Sequence, residues 1–395
     1  MPMHRPTSTS GNRTKKAVFP AGATVEIANT AAQARTFEAD WQALADCALD
    51  ANPFLAPWCL IPALEAYGNE CKTCLAFVYQ GQGIARNLIG VFPLELREKF
   101  RGLPLRHLIS WQHPQLFLAQ PLVNPDHAKL AWREVLTWAK QQGAQLIELP
   151  LVSSESATMQ ALESALAASA LNSVTLASFE RALLTPSAQT SQDYITASSS
   201  AKSRKSWRRQ NRRLGELGTL DCRVMAPKEP VDPWIDDFLS LEVKSWKGRD
   251  GTALASQPHE ERFFRDMARD AHTHNALHMM GLFLDGKAIA LQCNLFSGGD
   301  GFAFKVAFDD AFSSLSPGVL LELAAIENFF DRDGFRSIDS CTGAGHPLMS
   351  RLWRETRQID HILASTGRLG GQFLCRFYPL ARSLRSVLKT KGTAP

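Results

Sequence analysis

The stretch Leu277–Phe330 reads LHMMGLFLDGKAIALQCNLFSGGDGFAFKVAFDDAFSSLSPGVLLELAAIENFF. It contains three apolar runs in quick succession, Leu277–Leu284, Lys287–Phe296 and Gly301–Phe308, which read as strands. Asp285-Gly286 between the first two is a two-residue hairpin signal. Ser316 then suits a helix N-cap and Pro317 the first helical position, so a helix is expected over Pro317–Asp331. Hairpin strands followed by a helix, then a strand at Ser337–Ser340, a helix near Leu348–Trp353 and a strand at Gln358–Ala364, are α+β grammar around a mixed sheet.

Upstream, apolar spacing predicts helices over Ser203–Leu217, Pro233–Trp246 and His259–Thr273. Thr185–Ser200, crowded with Ser, Thr and Gln, reads as a boundary. Before it comes a similar order of elements. Strands are expected at Thr73–Tyr79, Leu88–Leu96, Leu146–Leu151 and near Val174–Phe179, and helices at Ala128–Gln141 and Ser156–Ala168. Pro93 suggests that Leu88–Leu96 is an edge strand or carries a bulge. The expected organisation is a basic tail at 1–20, a domain at 21–185, a linker at 186–200 and a second domain at 201–390.

With 395 residues, 45% hydrophobic and 21% charged, the composition is that of a globular chain rather than a disordered one. A net charge of +4 is too small for a general polyanion binder, and DNA is not expected as a partner. Eight cysteines are scattered, and Cys71-x-x-Cys74 has no second pair at zinc-finger spacing. Free thiols, no metal and a reducing compartment follow as expectations. No apolar run approaches the roughly 18–20 residues needed to span a bilayer. The tail lacks the apolar core of a signal peptide, so the protein is expected in the cytoplasm, with peripheral contact at the inner membrane face left open.

Four features carry candidate chemistry. The start of the Pro317 helix, Ser316-Pro317-Gly318-Val319-Leu320, offers free amides and the positive end of a helix dipole to a phosphate. On the preceding strand, alternation places Lys305 and Asp309 on one face, opposite Phe304 and Phe308. Lysine suits an anion and aspartate suits accepting a proton. Lys202–Arg213 holds seven basic residues and no acid, with Arg204, Arg208 and Arg212 in one stripe. Trp246 and Lys247 open a glycine-rich, charged loop beside a helix end, where Trp246 suits a pocket wall. A basic amphipathic helix closes the chain, with Phe373, Phe377, Leu380, Leu384 and Val387 at helical spacing, expected to pack against the domain rather than lie on lipid.

In order, Ser203–Arg209, Ser245–Arg249, Asp285–Ala290, Ala307–Asp309, Ser316–Leu321, Asp339 and Leu352-Trp353 resemble the CelD-like acetyltransferases associated with cellulose and exopolysaccharide synthesis. The resemblance covers roughly 198–363. It implies tandem GNAT-like (acyl-CoA N-acyltransferase) domains, an arrangement similar to the Fem-type transferases. It also implies acetyl-CoA as acyl donor and transfer to an amine or hydroxyl of a sugar or envelope precursor, near membrane-associated polysaccharide machinery. The donor pyrophosphate then falls at Ser316–Leu320. Asp309 and Lys305 become the catalytic candidates, and Arg204, Arg208, Trp246 and Lys247 the substrate-binding ones. Phe308 stands where family members often carry tyrosine. Two alternatives stay open: Fem-type transfer from aminoacyl-tRNA, and a non-catalytic scaffold in polysaccharide synthesis.

Overall fold

The computed structural model describes residues 17–18, 22–68, 72–83 and 86–391, with side chains omitted at 17–18 and 381–391. The expected tail therefore lies outside the described residues except for Ala17–Val18, and Cys71 lies outside them as well. The first half contains β1 (Ala17–Val18), β2 (Ala23–Ala28), α1 (Ala31–Arg35), α2 (Glu38–Cys47), α3 (Pro57–Tyr67), β3 (Thr73–Gln80), β4 (Asn87–Arg97), β5 (His107–Ser110), β6 (Leu122–Val123), α4 (Ala128–Gln141), β7 (Leu146–Ser153), α5 (Ala157–Ala168) and β8 (Ser173–Leu184). The second contains α6 (Ser191–Ser198), α7 (Ala201–Gly215), β9 (Leu220–Val224), α8 (Val231–Lys244), α9 (Trp246–Arg249), α10 (Pro258–Thr273), β10 (Leu277–Leu284), β11 (Lys287–Ser297), β12 (Asp300–Phe308), α11 (Pro317–Phe330), β13 (Ser337–Asp339), α12 (Met349–Leu352), β14 (Glu355–Ser365) and α13 (Leu369–Lys391). Residues 186–200 thus carry a helix, with Tyr194 fully buried.

All the strands join one mixed sheet in the order β1-β2-β3-β4-β5-β7-β14-β8-β13-β12-β11-β10-β9, with β6 beside β4. Each half builds an antiparallel meander that ends in one parallel pair, β5 with β7 and β12 with β13. A helix crosses over between the members of each pair, α4 in the first half and α11 in the second. The last strand of each half is exchanged. β14 lies between β7 and β8, while β8 pairs with β13. The halves are therefore joined through their own central strands. Helices cover both faces and bury separate apolar clusters, one of which draws Phe54, Phe77, Phe238, Phe264 and Phe302 from both halves.

Local chemistry explains the turns. Asp285 and Gly286 both take positive φ (51° and 77°), as a two-residue hairpin between right-twisted strands requires. One expectation holds in part and one is corrected. The strand carries the bulge expected with Pro93, its register against β3 skipping Ile89, while Pro93 lies in an interior strand, not at an edge. It falls in the gap where β4 passes from β6, paired at Gly90 and Val91, to β5, paired from Leu94, and a residue without an amide hydrogen fits there. In α13 the packed face is Leu374, Cys375 and Tyr378. Phe373 and Leu380 are 66% and 60% exposed, so the expected packing stripe faces outward over its described part. Leu384 and Val387 lie outside the described side chains. Among the described residues no helix is long and apolar enough to cross a membrane.

Candidate active site

β12 and β13 run parallel only from Asp300–Phe302 against Ser337–Asp339. Beyond Phe302, β12 continues to Phe308 while β13 has ended, which leaves that edge of β12 unpaired by a strand. A short 3₁₀ turn, Asp310–Leu315, then leads into α11. Pro317 occupies the first turn as expected. Ser316, however, is no side-chain cap. It takes the left-handed conformation (φ 52°) that closes the preceding turn, and its hydroxyl accepts from Gln210 Nε2 at 3.0 Å. The Ser316 carbonyl receives the amides of Val319 and Leu320. A helix has no internal acceptor for the Gly318 amide at that position. A Cβ on Gly318 would stand 3.4 Å from the Phe308 ring, an ordinary contact, so this helix end lies directly above Phe308.

The expected strand parity also changes. A bulge at Cys293/Asn294 sets Lys305 opposite Cys293 and Ala303 opposite Asn294, skipping Phe304. Phe304 consequently joins Phe302 and Ala307 in one core cluster, while Phe308 packs in the other. Lys305 is half-buried, and its side chain makes no hydrogen bond or ion pair among the described residues; its Nζ lies 5.8 Å from the Phe304 ring centre. Burial pulls its ammonium pKa down, opposed by the Glu242 carboxylate and assisted by Lys247. Asp309 caps the 3₁₀ turn by accepting from Ala311 N at 2.9 Å.

Glu242, fully buried in α8, organises the neighbouring wall. Its Oε1 receives Lys247 Nζ at 2.9 Å and its Oε2 the Leu254 amide at 2.7 Å. Lys247 Nζ also donates to the Val306 carbonyl of β12 at 3.2 Å. Lys247 is thus tied to the β12 wall, while Trp246 is 48% exposed beside it. Glu242 was missed in the sequence, although Ile235, Phe238, Leu239 and Glu242 follow the spacing of one helix face.

The basic helix α7 borders the same region through Gln210. Arg208, Arg209, Arg212 and Arg213 are exposed along it. Arg204 is committed elsewhere: its Nη1 donates to the Thr196 and Ser199 carbonyls (3.1 and 2.5 Å) at the end of α6.

Between the halves lies a second polar region. Arg181 of β8 is 2% exposed; its Nη2 donates to Asp339 Oδ2 at 2.8 Å and its Nε sits 2.7 Å from Oδ1. Arg357 of β14 donates to the same carboxylate at 2.8 Å. A cavity of about 540 Å³ opens over these central strands, walled by the end of α2 and the β11–β12 hairpin. None of the sequence-predicted site residues lines it. Among the described residues no cluster of three or more His, Cys, Asp or Glu is arranged to hold a metal, and the seven described cysteines are free.

The open sheet edge beside the parallel pair, with the start of α11 above Phe308 at its end, is compatible with a GNAT fold. Residues 201–346 match the family model of the acetyltransferase (GNAT) domain. No curated protein matches the chain. Among solved structures the chain is similar to FemX, with 11% identity, a TM-score of 0.51, and coverage of 83% of this chain and 95% of that one. It is also similar to a conserved protein of unknown function from Bacteroides thetaiotaomicron VPI-5482 (12% identity, TM-score 0.49, coverage 86% and 99%). A tandem GNAT protein from the clavulanic acid biosynthesis pathway follows at 14% identity and TM-score 0.42, with coverage of 87% and 99%. The FemX likeness speaks for the fold alone, and the two below 0.5 add no weight.

Proposed function

We propose that the C-terminal half, residues 201–390, transfers an acyl group from a coenzyme A thioester, acetyl-CoA first, to an amine or hydroxyl of a sugar or cell-envelope precursor. The observation that carries this reading is the free edge of β12 running up to the open start of α11, with the unpaired Lys305 on that strand. The N-terminal half, residues 21–185, closes the acceptor side in this reading, and the CelD-like resemblance favours a sugar acceptor.

In this scheme Ser316–Leu320 receives the donor phosphates on the Gly318 amide and the helix dipole. Backbone groups along β12 hold the donor extended and polarise its carbonyl. The acceptor attacks that carbonyl: a C–N or C–O bond forms, the C–S bond breaks, and the acceptor proton passes to Asp309, directly or through water. The departing thiolate takes a proton from Lys305, whose lowered pKa suits an acid, because Phe308 offers no phenol. Solvent exchange then returns the proton from Asp309 to Lys305. Lys247 and Glu242 position the β12 wall, Trp246 lines the acceptor entrance, and Arg208 adds positive field.

Calorimetric titration with acetyl-CoA and CoA, on the wild type and Gly318→Asp, tests this. Gly318 has no positive φ and its Cβ meets an ordinary contact, so the variant is expected to fold. Binding by the wild type and loss in the variant are expected. Failure of both coenzymes to bind removes the thioester donor.

A second reading is favoured by α7. Its exposed arginines flank the same helix start, which suits a donor with a longer phosphate chain, an aminoacyl-tRNA. Under that reading tRNA binds with a steep salt dependence that Arg208→Ala reduces by about one unit of slope.

A further inference from the structure

We infer that the cavity between the halves is a binding site for an amino sugar of about disaccharide size. The inference rests on the acyltransferase reading only in taking this ligand as the acceptor. The volume of about 540 Å³ falls within the roughly 300–1,000 Å³ typical of ligand sites.

The lining gives the chemical class. Asp46 at the end of α2, Asp50 after it and Glu155 before α5 all line the cavity, and none has a cationic partner among the described residues. Asp50 accepts the amides of Ala157 and Thr158 (3.3 and 2.6 Å), and Asp46 Oδ1 accepts from Gln42 Nε2 at 2.7 Å. These bonds position the carboxylates; the first-turn amides of α5 partly offset the Asp50 charge, while Asp46 and Glu155 keep theirs. The other acid in the lining, Asp300, is paired to Arg336. The excess negative charge therefore sits on one wall, where it attracts an ammonium group.

The opposite requirement comes from the neutral and cationic groups. Gln120 is 1% exposed, lines the cavity, and its Oε1 has no hydrogen-bond partner. A buried, unpaired amide oxygen costs free energy until a donor reaches it. Ser153, Ser297 and Thr356 add polar groups to the walls. On the floor, Arg357 shares Asp339 with Arg181, so two guanidiniums meet one carboxylate and Arg357 keeps donors for a ligand oxygen. A simple diamine satisfies the acidic wall but leaves Gln120 and Arg357 unanswered. A neutral sugar does the reverse. An amino sugar, with an ammonium group and several hydroxyls, answers both.

The full-length protein is titrated calorimetrically with fully deacetylated chitobiose, N,N′-diacetylchitobiose and putrescine. Saturable binding of the deacetylated disaccharide is expected, with the other two probes weaker by about tenfold or more. Asp46→Asn should weaken the deacetylated disaccharide by a similar factor and leave the diacetylated one unchanged. Gln120→Leu should weaken both disaccharides without changing putrescine. Near-equal binding of putrescine and the deacetylated disaccharide overturns the assignment in favour of a plain cation site. No saturable binding by a natively folded wild type, checked by circular dichroism, also overturns it. Acetyl-CoA titrated into the same sample separates the two readings. Donor binding without disaccharide binding sinks the cavity assignment alone, and disaccharide binding without donor binding sinks the donor reading alone.

Discussion

Replacing Asp339 by Asn should destabilise the protein by about 3–5 kcal/mol, the usual cost of breaking a buried ion pair from one side. Arg181 and Arg357 stand directly opposite each other across β8 and β14. Like charges so placed repel, and Asp339 compensates them from β13. Arg357, 21% exposed at its side chain, has cavity solvent to turn to. Arg181, at 2%, has only the Phe117 carbonyl at 2.7 Å, so most of the cost falls on it. An unfolding entropy of about 2.1 cal/mol/K per residue over roughly 390 residues gives about 0.8 kcal/mol/K, and hence a fall in Tm of about 4–6 °C. Differential scanning calorimetry and urea titration read the change. The double variant Arg181→Met/Asp339→Leu, which removes the Arg181 charge with its partner, should recover much of the loss. A loss below about 1 kcal/mol for Asp339→Asn, or no recovery in the double variant, would refute the claim that this carboxylate neutralises a buried like-charge pair.

Lys305→Met should raise stability at neutral pH and, on the proposed mechanism, abolish acyl transfer. The folded-state pKa of Lys305 is depressed, so wild-type stability should climb as pH rises from that value towards about 10.4, and urea midpoints of the variant should lack that climb. Glu322 in α11 is 5% exposed; burial raises its pKa to about 7 from 4.5, while its Oε1 accepts from Trp353 Nε1 at 2.8 Å. The folded state then holds a proton that the unfolded state releases, so stability should fall by on the order of 3 kcal/mol as pH rises from about 4.5 through 7; Glu322→Gln should flatten that fall in denaturation curves taken at pH 5 and pH 8. Lys247→Ala strands the fully buried Glu242 without its cation and should cost about 3 kcal/mol or more, a penalty that Glu242→Gln in the same chain should partly relieve in urea titration.

What the sequence made legible was local. The Asp285-Gly286 hairpin, the Pro317 helix start and the three strands around them follow from φ preferences and periodicity within a few residues, and the structure keeps all of them. The reading failed where a neighbour distant in the chain decides the geometry. Ser316 is a good N-cap by type, yet the 3₁₀ turn before it demands a left-handed residue, and its hydroxyl turns to Gln210, 106 positions away. Phe304 alternates correctly by count, but the β11–β12 bulge shifts the parity, and nothing in the run Phe302–Asp309 announces it. Glu242 was legible in principle, since a carboxylate at an apolar helical position needs a partner.

The exchanged strands explain why the cavity between the halves was invisible from sequence. Its floor combines β8, β12 and β14, and its walls combine α2 with the β11–β12 hairpin, so residues such as Asp46 and Arg357 meet only after the sheet has closed. The same exchange ties the fold of each half to the whole chain. The C-terminal half reaches β13 and then needs β8 from the other half as its next strand. The N-terminal half likewise needs β14 beside β7. Cutting the chain between them would bare two central strand edges, whose unpaired amides and carbonyls invite aggregation. It would also separate Arg181 from Asp339. An acceptor held at this seam therefore meets a surface that exists only when both halves are folded, while the proposed donor site on β12 and α11 belongs to one.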